Sequence, residues 1–211
     1  MDQAADGKKS HLFPAASIEA PSQRPVTVNK YRSIKLYQHC PMFSKYGETF
    51  NELSKRKLEI QDEIEAWTLL SYCLKMDGKD SAKLLRAWKS SNETIAQTEK
   101  AVAALESIAD RRVTRFTLYN AGETGLKTAL AVAKQMEITV DEDKLIHDYR
   151  TLPIKSKKDL KANGGDLIKE AGIKPGPKMG EILDYLEEEV LFGRVENEKT
   201  SLLELAKQRM K

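Results

Sequence analysis

From Tyr31 onward the apolar residues of this 211-residue chain recur at three- and four-residue intervals, and nowhere do they alternate long enough to make a strand. "DEIEAWTLLSYCLKM" sets Ile64, Trp67, Leu70 and Leu74 on one broad helical face. "SAKLLRAWK" turns Leu84, Leu85 and Trp88 inward, with Asp80 before it as N-cap. "SSNE" reads as a capping box joining Ser90 to Glu93, and Ile95, Val102, Leu105 and Ile108 follow in helical register. "TRFTLYNAGETGLKTALAVAKQM" reads as two helical pieces parted at Gly122, and Asp141 caps "EDKLIHDYRTL", which stops before Pro153. The nearest approach to a strand, "ITV" at 138–140, is too short to count. The expected fold is all-α, a multi-helix body followed by a helical tail.

Three regions follow. Residues 1–32 mix Pro14, Pro21 and Pro25 with Ala, Ser, Lys and Gln and have no apolar period, which predicts a disordered or poorly ordered leader. Residues 33–111 read as the body and 112–211 as the tail, joined at "DRRVTR", with no repeat of solenoid period. No run approaches the roughly 20 apolar residues that span a bilayer, and the N-terminus lacks a signal-peptide core, so no membrane partner is expected. Cys40 and Cys73 are too few for a disulfide framework or a metal knuckle, and His11, His39 and His147 have no partners at ligand spacing. A reducing cytoplasm is the expected location. The formal charge of +3 permits a nucleic-acid partner without requiring one.

The charge is unevenly placed. Between Lys155 and Lys178 stand seven lysines against three acids (Asp159, Asp166, Glu170), a local +4, and from Glu181 to Glu198 the sign reverses. The basic stretch contains Gly164–Gly165 and the corner "GIKPGPKMG" (172–180). Gly172 suits a left-handed helix end, Pro177 the first turn of the next helix, and Gly193 the end of that helix. Glycines admit a phosphate close to the backbone, the helix after Pro177 offers unpaired amides, and flanking lysines supply sequence-independent attraction. The plainer reading is a tight turn with a soluble surface. Both readings stand on the residues alone, since a phosphate grip needs a rigid turn.

Over about residues 34–207 the chain resembles bacterial-type CCA-adding enzymes, the class II tRNA nucleotidyltransferases. The tail-like marks are Pro153–Ser156, Gly164 to Leu167, Gly176–Pro177, Val190 to Gly193 and Asn197–Lys199, in that order. "LYQHCPMF" (36–43), "EAWTLLSYCL" (65–74), "LLRAWKSSNETI" (84–95) and "RFTLYNAGETGLKTAL" (115–130) look like the body of that family. In the family a catalytic head with a nucleotidyltransferase sheet and an Asp-x-Asp magnesium site comes first. Nothing resembling it precedes residue 34, and Asp141-x-Asp143 reads as a helix start. The resemblance therefore implies a body and tail that hold the acceptor stem and TΨC arm of tRNA, inactive alone. No cofactor is expected in this chain; Mg and CTP or ATP would belong to the head, which a separately encoded partner would then supply.

RNA-backbone contacts are expected from Lys157, Lys158, Lys161, Gly164, Lys174, Gly176 and Lys178. Arg86, Lys89 and Asn92 are weaker body candidates, the first two equally readable as a solvated helix face and Asn92 as a helix start. Trp67, Trp88 and Tyr119 read as core rather than base-stacking platforms. Two other functions remain open: a helix-hairpin-helix-like DNA-binding module built on the glycine corner, and an interaction subunit that pairs with a separate catalytic head.

Overall fold

The computed structural model describes residues 41–210, so the expected leader (1–32), His11, His39 and Cys40 lie outside the described residues. After a 3-10 turn at Pro41–Tyr46 come nine α-helices among these residues. They are α1 (Gly47–Lys55), α2 (Glu63–Cys73), α3 (Gly78–Ala87), α4 (Asn92–Ala109), α5 (Arg115–Gln135), α6 (Glu142–Arg150), α7 (Gly164–Ala171), α8 (Pro177–Leu191) and α9 (Lys199–Met210). The described residues contain no strand, and the fold is all-α as the apolar period predicts.

Short polar side chains start α2 to α7. Asp62 Oδ1 accepts from Glu65 N at 2.8 Å to open α2, and Asp141 Oδ1 accepts from Lys144 N at 2.9 Å to open α6. Two starts differ from the sequence reading. Asp77 caps α3, its Oδ1 accepting from Asp80 N at 2.7 Å, while Asp80 sits inside the first turn and pairs with Lys83. Ser91 caps α4 together with Thr94, in place of Ser90 with Glu93. The cause lies upstream. Lys89 is left-handed (φ 57°), and Ser90 N donates back to Leu85 O at 3.1 Å, so Ser90 still belongs to the end of α3.

That ending recurs through the chain. Lys75, Arg111, Glu137, Gly172 and Gly193 also take positive φ, after α2, α4, α5, α7 and α8. In each case the next N–H reaches back over the last turn, as Met76 does to Ser71 and Arg194 to Glu189. Gly122 (φ 65°, ψ −179°) interrupts α5 and divides it into the two expected pieces.

The core is built on α4 and α5, which pack along one another across the short loop at Asp110–Thr114. Ala104, Leu105 and Ile108 of α4 share a cluster with Leu118, Leu126, Leu130 and Val132 of α5. Each such side chain contributes about 1.5–3 kcal/mol by leaving water. A Cβ at Gly78 would stand 2.7 Å from Glu99 O, so α3 approaches α4 backbone to backbone. Helices α7, α8 and α9 pack together and place Leu167, Ile173, Leu186, Val190 and Leu202 in the same core, which runs from Leu58 to Ala206.

The aromatic residues correct one expectation. Trp67 is half-buried and its Nε1 donates to Glu63 Oε1 at 3.1 Å, but Trp88 is 47% exposed. Trp88 is the C-cap residue of α3, and its ring meets Trp67 and Phe43. Tyr119 is half-buried and donates its hydroxyl hydrogen bond to Glu187, so it joins α5 to α8 as a polar link.

Candidate nucleic-acid interface

The basic stretch begins as a tight loop pinned at both sides. Asp159 Oδ2 accepts from Lys155 N at 2.8 Å and Ser156 N at 2.9 Å. These bonds, the one from Lys155 N first, hold its carboxyl below the ordinary carboxylate range. On the other side Asn197 spans the loop. Its Nδ2 donates to Asp159 O at 2.8 Å and its Oδ1 accepts from Lys161 N at 2.9 Å. The side chains of Lys158 and Lys161 stand exposed on this fixed backbone.

Next comes the corner between α7 and α8. Asn163 Oδ1 takes the amides of Gly165 (2.8 Å) and Asp166 (3.1 Å), and Asp166 Oδ2 takes Asn163 N in return (3.0 Å). The first turn of α7 is thereby closed by its own cap. Gly164 is half-buried, and a Cβ there would lie 3.1 Å from Met179 Sδ, so close packing of α7 on α8 accounts for this glycine. Left-handed Gly172 (φ 68°) turns the chain, and Ile173 anchors the corner in the core.

Helix α8 starts differently. Gly176 provides no side-chain cap, Pro177 has no N–H, and a Cβ at Gly176 would point into open space. Lys178 stands in the first turn of α8, where its amide has no earlier turn to accept its hydrogen bond. Lys174 and Lys178 stand exposed on either side of this uncapped end.

Pairing decides which lysines remain available. Lys157 does not: its Nζ bonds Asp184 and lies 3.5 Å from Glu187 Oε2, so it ties the loop to α8. The Asp184 hydrogen bond raises its pKa above the ordinary lysine value. The acids of the stretch are also committed. Lys199 Nζ lies 2.7 Å from both Asp166 and Glu170, and Asp159 is taken by backbone amides. Lys158, Lys161, Lys169, Lys174 and Lys178 remain exposed and without an ion pair among the described residues.

The body candidates gather elsewhere. Arg86 lies in the last turn of α3, Lys89 in the left-handed turn after it, and Asn92 at the first position of α4, all exposed. Among the described residues no hydrogen bond or ion pair joins them to the tail lysines. Sequence reasoning missed the two polar clamps behind the corner, Asn197 and Lys199. Their motif was visible, but their partners lie about thirty to forty residues away. The pair Asp141-x-Asp143 is a helix start in the structure, Asp141 serving as the cap of α6.

A family model described as tRNA nucleotidyltransferase domain 2 matches residues 58–206. The CCA-adding enzyme of Ligilactobacillus salivarius is 40% identical over 95% of this chain and 52% of its own length. That of Limosilactobacillus reuteri (strain DSM 20016) is 37% identical over 86% of this chain and 46% of its own. The crystal structure of the Bacillus stearothermophilus CCA-adding enzyme in complex with CTP superposes with a TM-score of 0.56 at 31% identity, covering 71% of this chain and 38% of that one. The chain spans about half the length of the curated relatives it matches. The matched region and the main core share their first and last residues, Leu58 and Ala206, and the chain belongs to the tRNA nucleotidyltransferase family.

Proposed function

We propose that this chain holds tRNA by its sugar-phosphate backbone, at the acceptor stem and TΨC arm, in the service of CCA addition to the 3′ end. One observation carries the reading: the acids of the basic stretch are occupied internally, while Lys158, Lys161, Lys169, Lys174 and Lys178 remain exposed without an ion pair, the last two flanking an uncapped helix start. Such an arrangement attracts phosphates without reading bases, which suits an A-form stem whose sequence is hidden in a narrow major groove. The family's description names tRNA, and the relatives are CCA-adding enzymes. The contacts belong to Lys158, Lys161, Lys174 and Lys178, with the backbone at Gly176 admitting a phosphate close to the start of α8. Gly164 and Lys157 serve the framework beneath them. Arg86, Lys89 and Asn92 make a second, weaker contact from the body.

The proposed role is holding rather than nucleotide transfer; the one Asp-x-Asp pair of the sequence, Asp141-x-Asp143, begins a helix, with Asp141 as its cap. The test is fluorescence-polarisation binding of tRNA without its CCA end, across a salt series, with duplex DNA as competitor. Binding that prefers tRNA and weakens with salt is expected. Replacing Lys158, Lys174 and Lys178 together by Ala should lower the salt slope by about one unit for each phosphate no longer neutralised. An unchanged slope in that variant, or equal competition by duplex DNA, refutes the assignment. CMP or AMP incorporation by the pure chain would overturn the expectation that it is inactive alone.

A further inference from the structure

Lys199 is the first residue of α9, where the helix dipole disfavours a cation. Its position is explained instead by what it reaches. Nζ lies 2.7 Å from Asp166 Oδ1 and 2.7 Å from Glu170 Oε1, two carboxylates one turn apart on α7. Two residues earlier, Asn197 grips the lysine loop by Asp159 O and Lys161 N. The short run Asn197–Lys199 therefore holds both halves of the basic stretch from behind, one by amide hydrogen bonds and one by charge.

We propose that Lys199 is a masking residue and Asn197 a positioning residue of the RNA-holding face: Lys199 cancels the two carboxylates of α7 that would repel phosphates, and Asn197 fixes the direction of Lys158 and Lys161. This rests on the RNA-holding reading above. Neither residue touches RNA. Lys199 is 44% exposed in its side chain and Asp166 only 19%, so the pairing neutralises a half-buried carboxylate within the basic stretch. Glu170 is the more exposed partner at 49%, and it follows Lys169 directly in the chain, so its charge is the one most damaging to phosphate binding when unmasked. The masking also has a structural side, because Asp166 caps the Asn163 amide on the same turn. A purely structural role and a masking role give opposite results when a second partner is removed.

The experiment uses the full chain with four changes: Lys199→Met, Lys199→Arg, Glu170→Gln, and Lys199→Met combined with Glu170→Gln. Lys127→Met, on α5, controls for removal of one positive charge. Binding of tRNA without its CCA end is measured at low and moderate salt beside thermal unfolding. Lys199→Met should weaken binding about three- to tenfold at low salt, more than the control. Lys199→Arg should retain parental affinity, and the double variant should recover most of the binding without recovering stability. Failure of Glu170→Gln to restore binding overturns the masking role, as does a Lys199→Met variant that binds like the control.

Asn197→Ala is expected to lower affinity while leaving the salt slope within about half a unit of the parent, since no cation is removed. Parental affinity in that variant overturns the positioning role. A readout free of RNA separates the two levels: the Asp166 carboxyl, titrated by carbon NMR, should rise in pKa when Lys199 becomes Met. If the parent chain binds no tRNA yet Asp166 responds, the RNA-holding reading is what fails. If Asp166 does not respond, the masking geometry itself is wrong.

Discussion

Lys157 and Lys158 are neighbours in the chain with opposite roles. Lys157 is paired with Asp184 and Glu187 of α8, whereas Lys158 is exposed and unpaired. Through Glu187 the Lys157 pair connects to the Tyr119 hydroxyl, whose pKa is raised by burial first and by the Glu187 hydrogen bond second. Removing Lys157 leaves Glu187, only 16% exposed, with one polar partner fewer. Lys157→Met is therefore expected to lower stability by up to about 1 kcal/mol, the modest scale of a half-exposed pair, with a melting shift of about 2–4 °C. Lys158→Met should leave melting unchanged and reduce the salt slope of tRNA binding by about one unit. Calorimetry and polarisation titrations on both variants decide this. The assignment fails if the two substitutions exchange effects.

At the scale of elements, α7 is the most dependent on its caps, because an eight-residue helix is marginal without tertiary support. Its Asp166 carboxyl lies below the usual 3.8, held by Lys199 first and by the Asn163 amide second, and Asp159 in the preceding loop is lowered by the amide of Lys155. A carboxyl with a depressed folded pKa contributes stability that is complete above its unfolded value and disappears as pH falls through the folded one. The loop and α7 are expected to open below about pH 3.8, before α4 and α5, whose contacts are apolar. Amide exchange at Gly165 and Asp166 followed through an acid titration measures it. Simultaneous loss of protection in α4 would contradict the ordering. These elements also show what a sequence discloses. The helical faces were readable because burial imposes the period, and Asp141, Gly172 and Pro177 were readable because their chemistry fits one position. The ends at Lys75, Lys89, Arg111 and Glu137 were not, since a left-handed lysine, arginine or glutamate carries no local mark. The same blindness moved the cap of α4 from Ser90 to Ser91 and turned Trp88 outward. The charge of the basic stretch is +4 by simple counting, but counting could not assign Asp166 and Glu170 to Lys199 or Lys157 to Asp184, which lies 27 residues away.

Taken as a molecule, the described residues have one main core that passes from α2 through α4 and α5 to α9, and the basic corner is attached to it by Ile173 on one side and Leu186 on the other. One polar tie reinforces the attachment, Tyr119 to Glu187, and the Arg115 side chain packs beside Gly193. On the proposed role, the corner would have to transmit the load of a bound RNA to the remaining helices, and a continuous core does so without a hinge. The consequence is thermodynamic: the region around the corner and the region around α2 and α3 should unfold together. Leu186 is fully buried in α8, and Leu186→Ala should cost about 2–5 kcal/mol, or about 5–15 °C in melting temperature. Trp67 and Trp88 report from the opposite part of the fold, stacked edge to face in the aromatic cluster beside α2 and α3. Their fluorescence transition should move by the same interval as the helical circular-dichroism transition in the Leu186 variant. If the tryptophan transition stayed at the parental temperature while part of the helical signal melted early, the tail would be an independent unit, and the load from a bound RNA would have to cross a flexible joint.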